Sequence, residues 1–265
     1  MAGHMRTIAI SGSASGIGAA LRARLTDEGA RVIGIDLHDA DIVADLGTED
    51  GRSAALAALE AACDGSLDGL VAGAGVAGVP DRSGALLTSV NYFGAVRLVA
   101  GARHLLAGRS SAAVVISSNS TTTQPGLPVE LIEACLADDE AAARAVGEEV
   151  GAVAGYGATK TALARWVRRH ATTPDWVGQG IALNAIAPGA TVTAMTDEVR
   201  ADPLLGQFID AFPIPFGRQA TPEEIAGVIA FLLGPDARVL CGSVVFADGG
   251  TDAVLRPDDW PRPMS

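Results

Sequence analysis

The chain has 265 residues, 49% of them hydrophobic, and a formal net charge of −12. The length suits one large α/β domain and the apolar share suits a sizeable core. The acidic balance excludes a basic face for nucleic acid or an anionic membrane. The three cysteines, Cys63, Cys135 and Cys241, are far apart, and the four histidines, His4, His38, His104 and His170, show no ligand spacing. Neither a disulfide framework nor a metal site is expected, and a reducing cytoplasm fits this cysteine usage. No apolar run approaches the ~20 residues of a membrane span, and no secretory leader opens the chain. Residues 1–5 (Met1-Ala-Gly-His-Met5) read as a leader left by cloning. Residues 6–256 read as the domain, and residues 257–265 as a proline-bearing tail.

In chain order, residues 6–11 form a strand, followed by a glycine turn and a helix over about 17–28. A second strand covers 31–36 and a short third 41–45. A helix over 50–62 leads to a strand at 67–72, which ends in Gly73-Ala-Gly75. Residues 89–107 carry Val90, Phe93, Val96, Leu98 and Leu105 at helical spacing. The near-continuous apolar run 112–117 marks a strand buried on both faces. A helix at 155–170 and strands at 181–186 and 243–247 complete the pattern. Strands alternating with helices predict one doubly wound, Rossmann-type parallel sheet of about seven strands, with helices on both faces.

Three groups of residues carry chemistry. Glycines at the first strand-to-helix turn, Gly12, Gly16 and Gly18, let backbone approach a pyrophosphate and present helix N–H groups to it. Asp36 closes the second strand, where a carboxylate binds adenosine ribose hydroxyls and repels a 2′-phosphate. Ser13, Ala14, Ser15 and Leu37 supply no compensating cation, so NAD is the expected cofactor. Asp45 and Leu46 are placed to line the adenine. Tyr156 and Lys160 are four apart and share a helix face. A phenol titrates near 10, and a close ammonium favours its phenolate. Such a pair beside a dinucleotide suits moving a proton while a hydride moves.

These residues give a resemblance to the short-chain dehydrogenases/reductases over about residues 6–250. It rests on Gly12-Ser-Ala-Ser-Gly-Ile-Gly18, Ala72-Gly-Ala-Gly75, Ser89-Val-Asn-Tyr-Phe93, Ile116-Ser-Ser118, Tyr156-Gly-Ala-Thr-Lys160, Pro188-Gly-Ala-Thr-Val-Thr193 and Asp248-Gly-Gly250. Two departures are a serine, Ser11, where the family usually has threonine, and Ala72-Gly73 where it usually has two asparagines. Within the family the chain is similar to the bacterial 3α-hydroxysteroid dehydrogenase/carbonyl reductase branch. The signs are Gly34-Ile-Asp-Leu37, Ile42-Val-Ala-Asp-Leu46, Ile186-Ala-Pro-Gly-Ala-Thr191 and a long segment between Ser118 and Tyr156.

The resemblance implies a catalytic set of Asn91, Ser118, Tyr156 and Lys160. Tyr156 would be the general acid/base, and Lys160 would lower its pKa and hold the nicotinamide ribose. Ser118 would hold the substrate oxygen, with Ser117 as its rival, and Asn91 would support a water chain behind Lys160. The resemblance also implies a cofactor set of Gly12, Ser15, Gly16, Ile17, Gly18, Asp36, Asp45, Leu46, Gly73, Ala74, Gly75, Tyr156, Lys160, Pro188, Gly189, Thr191 and Thr193. The expected activity interconverts a secondary alcohol and a ketone. A hydroxysteroid or similar hydrophobic carbonyl compound is the favoured substrate, and another cyclic or aromatic alcohol the alternative. A catalytically silent dinucleotide-binding regulator is the reading from another class.

Residues 193–217 hold Met195, Val199, Leu204, Leu205, Phe208, Phe212, Ile214 and Phe216, which suit a lid over a hydrophobic ligand. Residues 127–150 read as a helical insertion before the catalytic Tyr helix. Leu131, Ile132, Cys135 and Leu136 form one apolar stripe; Ala142, Val146 and Val150 form another. Asp138 and Asp139 are expected to start the second helix. The outer face of the helical pair is expected to be acidic, with Glu130, Glu133, Asp138, Asp139, Glu140, Glu148 and Glu149 against Arg144 alone. Relatives commonly pair their long central helices, and the insertion is expected to cover that face. A homodimer through the last helix and last strand is therefore expected more than a tetramer.

Overall fold

The structure is a computed structural model and describes residues 5–259. The expected cloning leader, apart from Met5, and the tail from residue 260 onward lie outside the described residues.

Strand β1 (Thr7–Ser11) enters the glycine turn and helix α1 (Gly16–Asp27). Strands β2 (Arg31–Asp36) and β3 (Ile42–Val43) follow, then α2 (Glu49–Ala62) and β4 (Gly69–Ala72). Thr48 caps α2 by accepting from the Gly51 N–H, and Glu49 and Asp50 sit in its electropositive first turn. The helix expected over 89–107 starts earlier, at Gly84, and stays helical to Gly101 with a π-helical segment inside it, before a last short turn. It runs as α3 (Gly84–Thr88), a π-helical segment (Ser89–Gly94), α4 (Ala95–Gly101) and α5 (Arg103–Leu106). Strand β5 (Ser111–Ile116) then leads to the short α6 (Ser120–Thr123).

After α7 (Val129–Leu136) comes α8 (Glu140–His170), which joins the second insertion helix to the catalytic helix. The two meet at Gly151, whose φ of 77° is left-handed backbone that only glycine adopts without strain. Strand β6 (Ile181–Pro188) is followed by α9 (Ala194–Ala201), α10 (Pro203–Ala211) and α11 (Pro222–Leu232). A capping box between Thr221 and Glu224 starts α11. Strand β7 (Val244–Ala247) and α12 (Thr251–Leu255) end the described chain.

The seven strands form one parallel sheet in the order β3-β2-β1-β4-β5-β6-β7. Alternate residues of β1 feed opposite cores, as the two-residue strand period requires. Ala9 joins Leu59, Leu98 and Val167 on one face. Ile8 and Ile10 join Leu21, Leu25 and Ile229 on the other. Strand order reverses between β1 and β4, which opens a crevice at the carboxyl ends of those strands.

The insertion differs in detail from its sequence pattern. Leu131, Ile132 and Cys135 are buried, and apolar surroundings push the Cys135 thiol up to about 12. In the second helix the packed side is Ala143 and Gly147, with Val146 and Val150 partly covered, while Ala142 is exposed. The register shifts because Gly147 crosses Gly84 at backbone contact: a Cβ on Gly84 would lie 1.8 Å from the Gly147 carbonyl oxygen.

The acidic face is also less free than its charges imply. Asp139 caps α8 through the Ala142 N–H, and Asp138 pairs with Arg97 at 2.9 Å. Glu140 pairs with Arg52 at 2.6 Å. Glu148 accepts from the Ser83 hydroxyl (2.6 Å) and the Ala85 N–H (3.0 Å), which hold its carboxyl below its usual range. Arg144, the lone cation, turns inward to the Ser89 hydroxyl. These carboxylates staple the insertion to α2, α3 and α4 instead of forming a solvated shell.

Candidate active site

The crevice at the strand reversal is a cleft of about 470 Å³. Its floor is backbone brought unusually close. A Cβ on Gly12 would lie 2.7 Å from the Ala74 nitrogen, and one on Gly18 would lie 1.9 Å from the Gly12 carbonyl oxygen. Gly12 and Gly16 have φ of 75° and 51°, so both proximity and backbone geometry demand glycine. The Ser11 hydroxyl accepts from the Gly73 (3.1 Å) and Ala74 (3.3 Å) N–H groups. It ties the end of β1 to the Gly73–Gly75 loop, a job for which its hydroxyl is sufficient without a threonine methyl.

At the carboxyl end of β2, Asp36 accepts from the Ala14 N–H (2.9 Å) and the Leu37 N–H (2.7 Å). Each carboxylate oxygen keeps a lone pair for a further donor. Asp45 accepts from the Gly47 N–H at 2.8 Å, which closes its own loop, and Leu46 is buried beside it. At the other end Thr191 and Thr193 follow β6. Thr193 caps α9 by accepting from the Thr196 N–H, and its methyl lies 3.3 Å from where a Gly16 Cβ would be.

The titratable centre lies between these ends. Ser118 follows β5; its hydroxyl accepts from the Ser120 N–H at 3.1 Å and acts to lower the pKa of the Tyr156 phenol. The rival Ser117 also borders the cleft, but its hydroxyl is committed to the Lys160 carbonyl at 2.8 Å. The Lys160 ammonium donates to the Ile116 carbonyl at 3.0 Å and lies 5.8 Å from the Tyr156 ring centroid. Burial pulls the Lys160 pKa down to about 8 and pushes the Tyr156 phenol up, opposed by the Ser118 hydrogen bond. This differs from the expectation that Lys160 lowers the Tyr156 pKa. The ammonium is turned to a carbonyl, and desolvation acts on both groups. A phenol that keeps its proton is poised as an acid.

Asn91 stands apart from the lining. Sitting in the π-helical segment and fully buried, it accepts from the Val76 N–H (2.8 Å) and donates to the Val76 carbonyl (3.0 Å). A Cβ on Gly75 would lie 3.1 Å from the Asn91 side-chain oxygen and 3.6 Å from the Lys160 nitrogen, so both groups approach the same bare face of this glycine.

Every other residue of the expected catalytic and cofactor sets lines the cleft, from Gly12, Ser15 and Ile17 through Ala74 to Pro188 and Gly189. Leu86, Val90, Ile116 and Thr196 line it as well and went unnoticed as site residues. Leu86 and Val90 are four apart across the α3–π junction, a pairing visible in sequence only once a helix is known to begin at Gly84. Among the apolar residues of 193–217, Met195 lines the cleft, whereas Leu204, Phe208 and Phe216 are exposed.

Over 260 residues the chain is 43% identical to the 3-alpha-hydroxysteroid dehydrogenase/carbonyl reductase of Comamonas testosteroni, covering 97% of this chain and 100% of that protein. The chain belongs to the short-chain dehydrogenase/reductase family. A family model described as enoyl-(acyl carrier protein) reductase matches residues 140–252. The family member cis-4-hydroxycyclohexanecarboxylate dehydrogenase of Sinomonas cyclohexanicum is 33% identical, over 94% of this chain and 97% of its own. The crystal structure of the 3-alpha-hydroxysteroid dehydrogenase from Pseudomonas sp. B-0831 complexed with NADH superposes with a TM-score of 0.90. That match is 44% identical and covers 95% of this chain and 99% of that one.

Proposed function

We propose that this short-chain dehydrogenase/reductase is an NAD-dependent oxidoreductase that interconverts a secondary alcohol and a ketone. The favoured substrate is a hydroxysteroid or a similarly hydrophobic carbonyl compound. The observation that carries the reading is the Ser118–Tyr156 hydroxyl pair, with Lys160 behind it, in the cleft that the glycine turn opens. The printed activity of the Comamonas relative and the NADH in the Pseudomonas structure support the substrate class and the cofactor.

The cleft fits a dinucleotide on its own geometry. The glycine cradle leaves no room for a single Cβ at Gly12 or Gly18, the opening left where backbone must meet a pyrophosphate. Gly12, Ser15, Gly16, Ile17 and Gly18 would hold the phosphates, and Asp36, Asp45 and Leu46 the adenosine. Lys160, Thr191 and Thr193, with Pro188 and Gly189, would hold the nicotinamide half. The bound nicotinamide supplies or accepts the hydride.

The chain's own groups do the rest. In reduction Tyr156 donates its proton to the substrate oxygen; in oxidation its phenolate takes the alcohol proton. Ser118 donates to the same oxygen and stabilises the charge that develops there. Asn91 fixes the Val76 backbone and with it the loop in front of Lys160. Leu86 and Val90 lie beside Gly47 and Asp45 at the adenosine end, whereas Met195, close to Thr193 in the chain, is placed to meet a hydrophobic substrate body.

The test is a panel of steroid and non-steroid alcohols with NAD, followed by the absorbance of the reduced nicotinamide, with Tyr156→Phe beside the parent. Turnover of a hydroxysteroid is expected, falling ~10²-fold or more in the variant at similar NAD affinity. Near-normal turnover in Tyr156→Phe would remove Tyr156 from the chemistry. Binding of NAD without turnover of any alcohol would favour the regulatory module.

A further inference from the structure

The insertion reaches the adenosine end of the cleft through a buried arginine. Arg52, on α2, is only 6% exposed. One terminal nitrogen donates to the Leu46 carbonyl at 3.2 Å and to a Glu140 carboxylate oxygen at 3.2 Å; the other donates to the second Glu140 oxygen at 2.6 Å. Glu140 is the first residue of α8, fixed in place by the Asp139 cap just before it. A planar fork held on both prongs has one orientation, so the direction in which Arg52 meets Leu46 is set by Glu140.

Leu46 is where that direction matters. It lines the cleft with Asp36 and Asp45, and its segment is pressed between helices. A Cβ on Gly51 of α2 would lie 2.0 Å from the Asp45 carbonyl oxygen. A Cβ on Gly94 of the π-helical segment would lie 3.0 Å from the Leu46 carbonyl oxygen. The peptide before Leu46 is thus pressed by α2, and the peptide after it by the π-helical segment and by the Arg52 fork at its carbonyl.

We infer that Glu140, acting through Arg52, is a positioning residue for cofactor binding: the insertion shapes the wall that receives the adenosine. This rests on the reading of the cleft as a dinucleotide site. Without the Glu140 charge, a buried guanidinium keeps one neutral partner, and it gains more by turning to water than by holding Leu46. The wall of Asp45 and Leu46 then loosens, while Ser118, on another element, and Tyr156 and Lys160, beyond the Gly151 break in α8, keep their places.

The experiment titrates NADH by its fluorescence, and ADP-ribose by competition, on the parent, Glu140→Gln and Arg52→Lys, with melting temperatures and kcat at saturating cofactor alongside. Both variants are expected to bind NADH and ADP-ribose about tenfold more weakly, the scale of one charge-assisted contact. They are expected to keep kcat within about twofold, since the loss is uniform binding. A lower melting temperature with unchanged affinities in the folded variants would overturn the inference; so would a fall in kcat that matches the loss of affinity. Should Glu140→Gln not fold, Glu140→Asp, which keeps the charge but shortens its reach, is expected to show the same split, and unaltered affinities there would overturn it. A parent that binds no NADH would overturn the functional reading itself, and this inference with it.

Discussion

The Ser117 hydroxyl donates to the backbone carbonyl of Lys160 at 2.8 Å, binding the end of β5 to the middle of the catalytic helix. Both serines border the cleft, and their hydrogen bonds divide the roles: the Ser117 hydroxyl is spent on the Lys160 carbonyl, and that of Ser118 is left beside Tyr156. Ser118→Ala is expected to cut turnover ~10²-fold, the scale of one lost oxyanion donor. Ser117→Ala is expected to cost about 1 kcal/mol of stability and to leave turnover close to that of the parent. Chemical denaturation and steady-state kinetics on the two variants check this; equal losses of turnover would contradict the division of roles.

Asp36 sets the cofactor preference. Its carboxylate is held by the Ala14 and Leu37 N–H groups at the mouth of the adenosine end. A 2′-phosphate there would bring like charges together. The parent is expected to use NAD in strong preference to NADP. Asp36→Ala is expected to narrow the ratio of kcat/KM for the two, mainly by weakening NAD. A parent that prefers NADP would show this reading of the end of β2 to be wrong.

Lys160 predicts an unusual pH dependence of stability in the cofactor-free protein. Its pKa is about 8 when folded, against 10.5 as an unperturbed group. Between those values the unfolded chain binds more protons, so this group makes the protein more stable as pH rises across that window. Tyr156 acts in the opposite sense at higher pH. Burial raises its pKa, so its stabilising contribution is present below 10 and is lost as pH climbs through the folded value. Lys160→Met is expected to abolish the rise in stability between about pH 8 and about pH 9.5, measured by urea denaturation. A rise that persists in the variant would assign it to another group.

Assembly is expected to be a homodimer through α11 and β7. The insertion lies against the π-helical segment and α4, with Leu136 and Asp138 sharing a cavity wall with Tyr92, Val96 and Arg97. That arrangement covers part of the face over which relatives commonly pair these helices. Phe231 on α11 and Val239 ahead of β7 are 50% and 90% exposed, apolar surface that a partner copy would bury. Phe231→Glu combined with Val239→Glu is expected to give monomers in light scattering. A structure pairing residues 89–107 with their symmetry mates would refute this arrangement.

Much of the site was legible in the chain because its demands are local. Gly12, Gly16 and Gly18 sit at one turn, Asp36 closes one strand, and Tyr156 and Lys160 share one helix face, so spacing alone placed each on its element. The π-helical segment inside the helix expected over 89–107 was not legible. That helix is apolar at helical spacing, and the π turn depends on Asn91 reaching Val76 and on Leu46 packing against Gly94. The packed side of the second insertion helix was misplaced for a similar reason. Ala142 and Ala143 are alike in composition, and the choice between them was made by the backbone crossing of Gly147 and Gly84.

The sequence by itself determined the alternation of strands and helices, the parallel sheet, the glycine turn, the carboxylate at the end of β2 and the shared helix face of Tyr156 and Lys160; Ser118 rested on the family resemblance, with Ser117 as its rival. Periodicity and backbone sterics act between near neighbours, and near neighbours are what a sequence records. Only the tertiary structure decided that Lys160 turns to Ile116 and loses proton affinity, and that Ser117 serves the catalytic helix. It also decided that the acids of the insertion are staples, with Glu140 closing on Arg52 across 88 positions of chain. Desolvation and ion pairing depend on which distant groups share a volume, and that is settled only when the sheet and the insertion close around them.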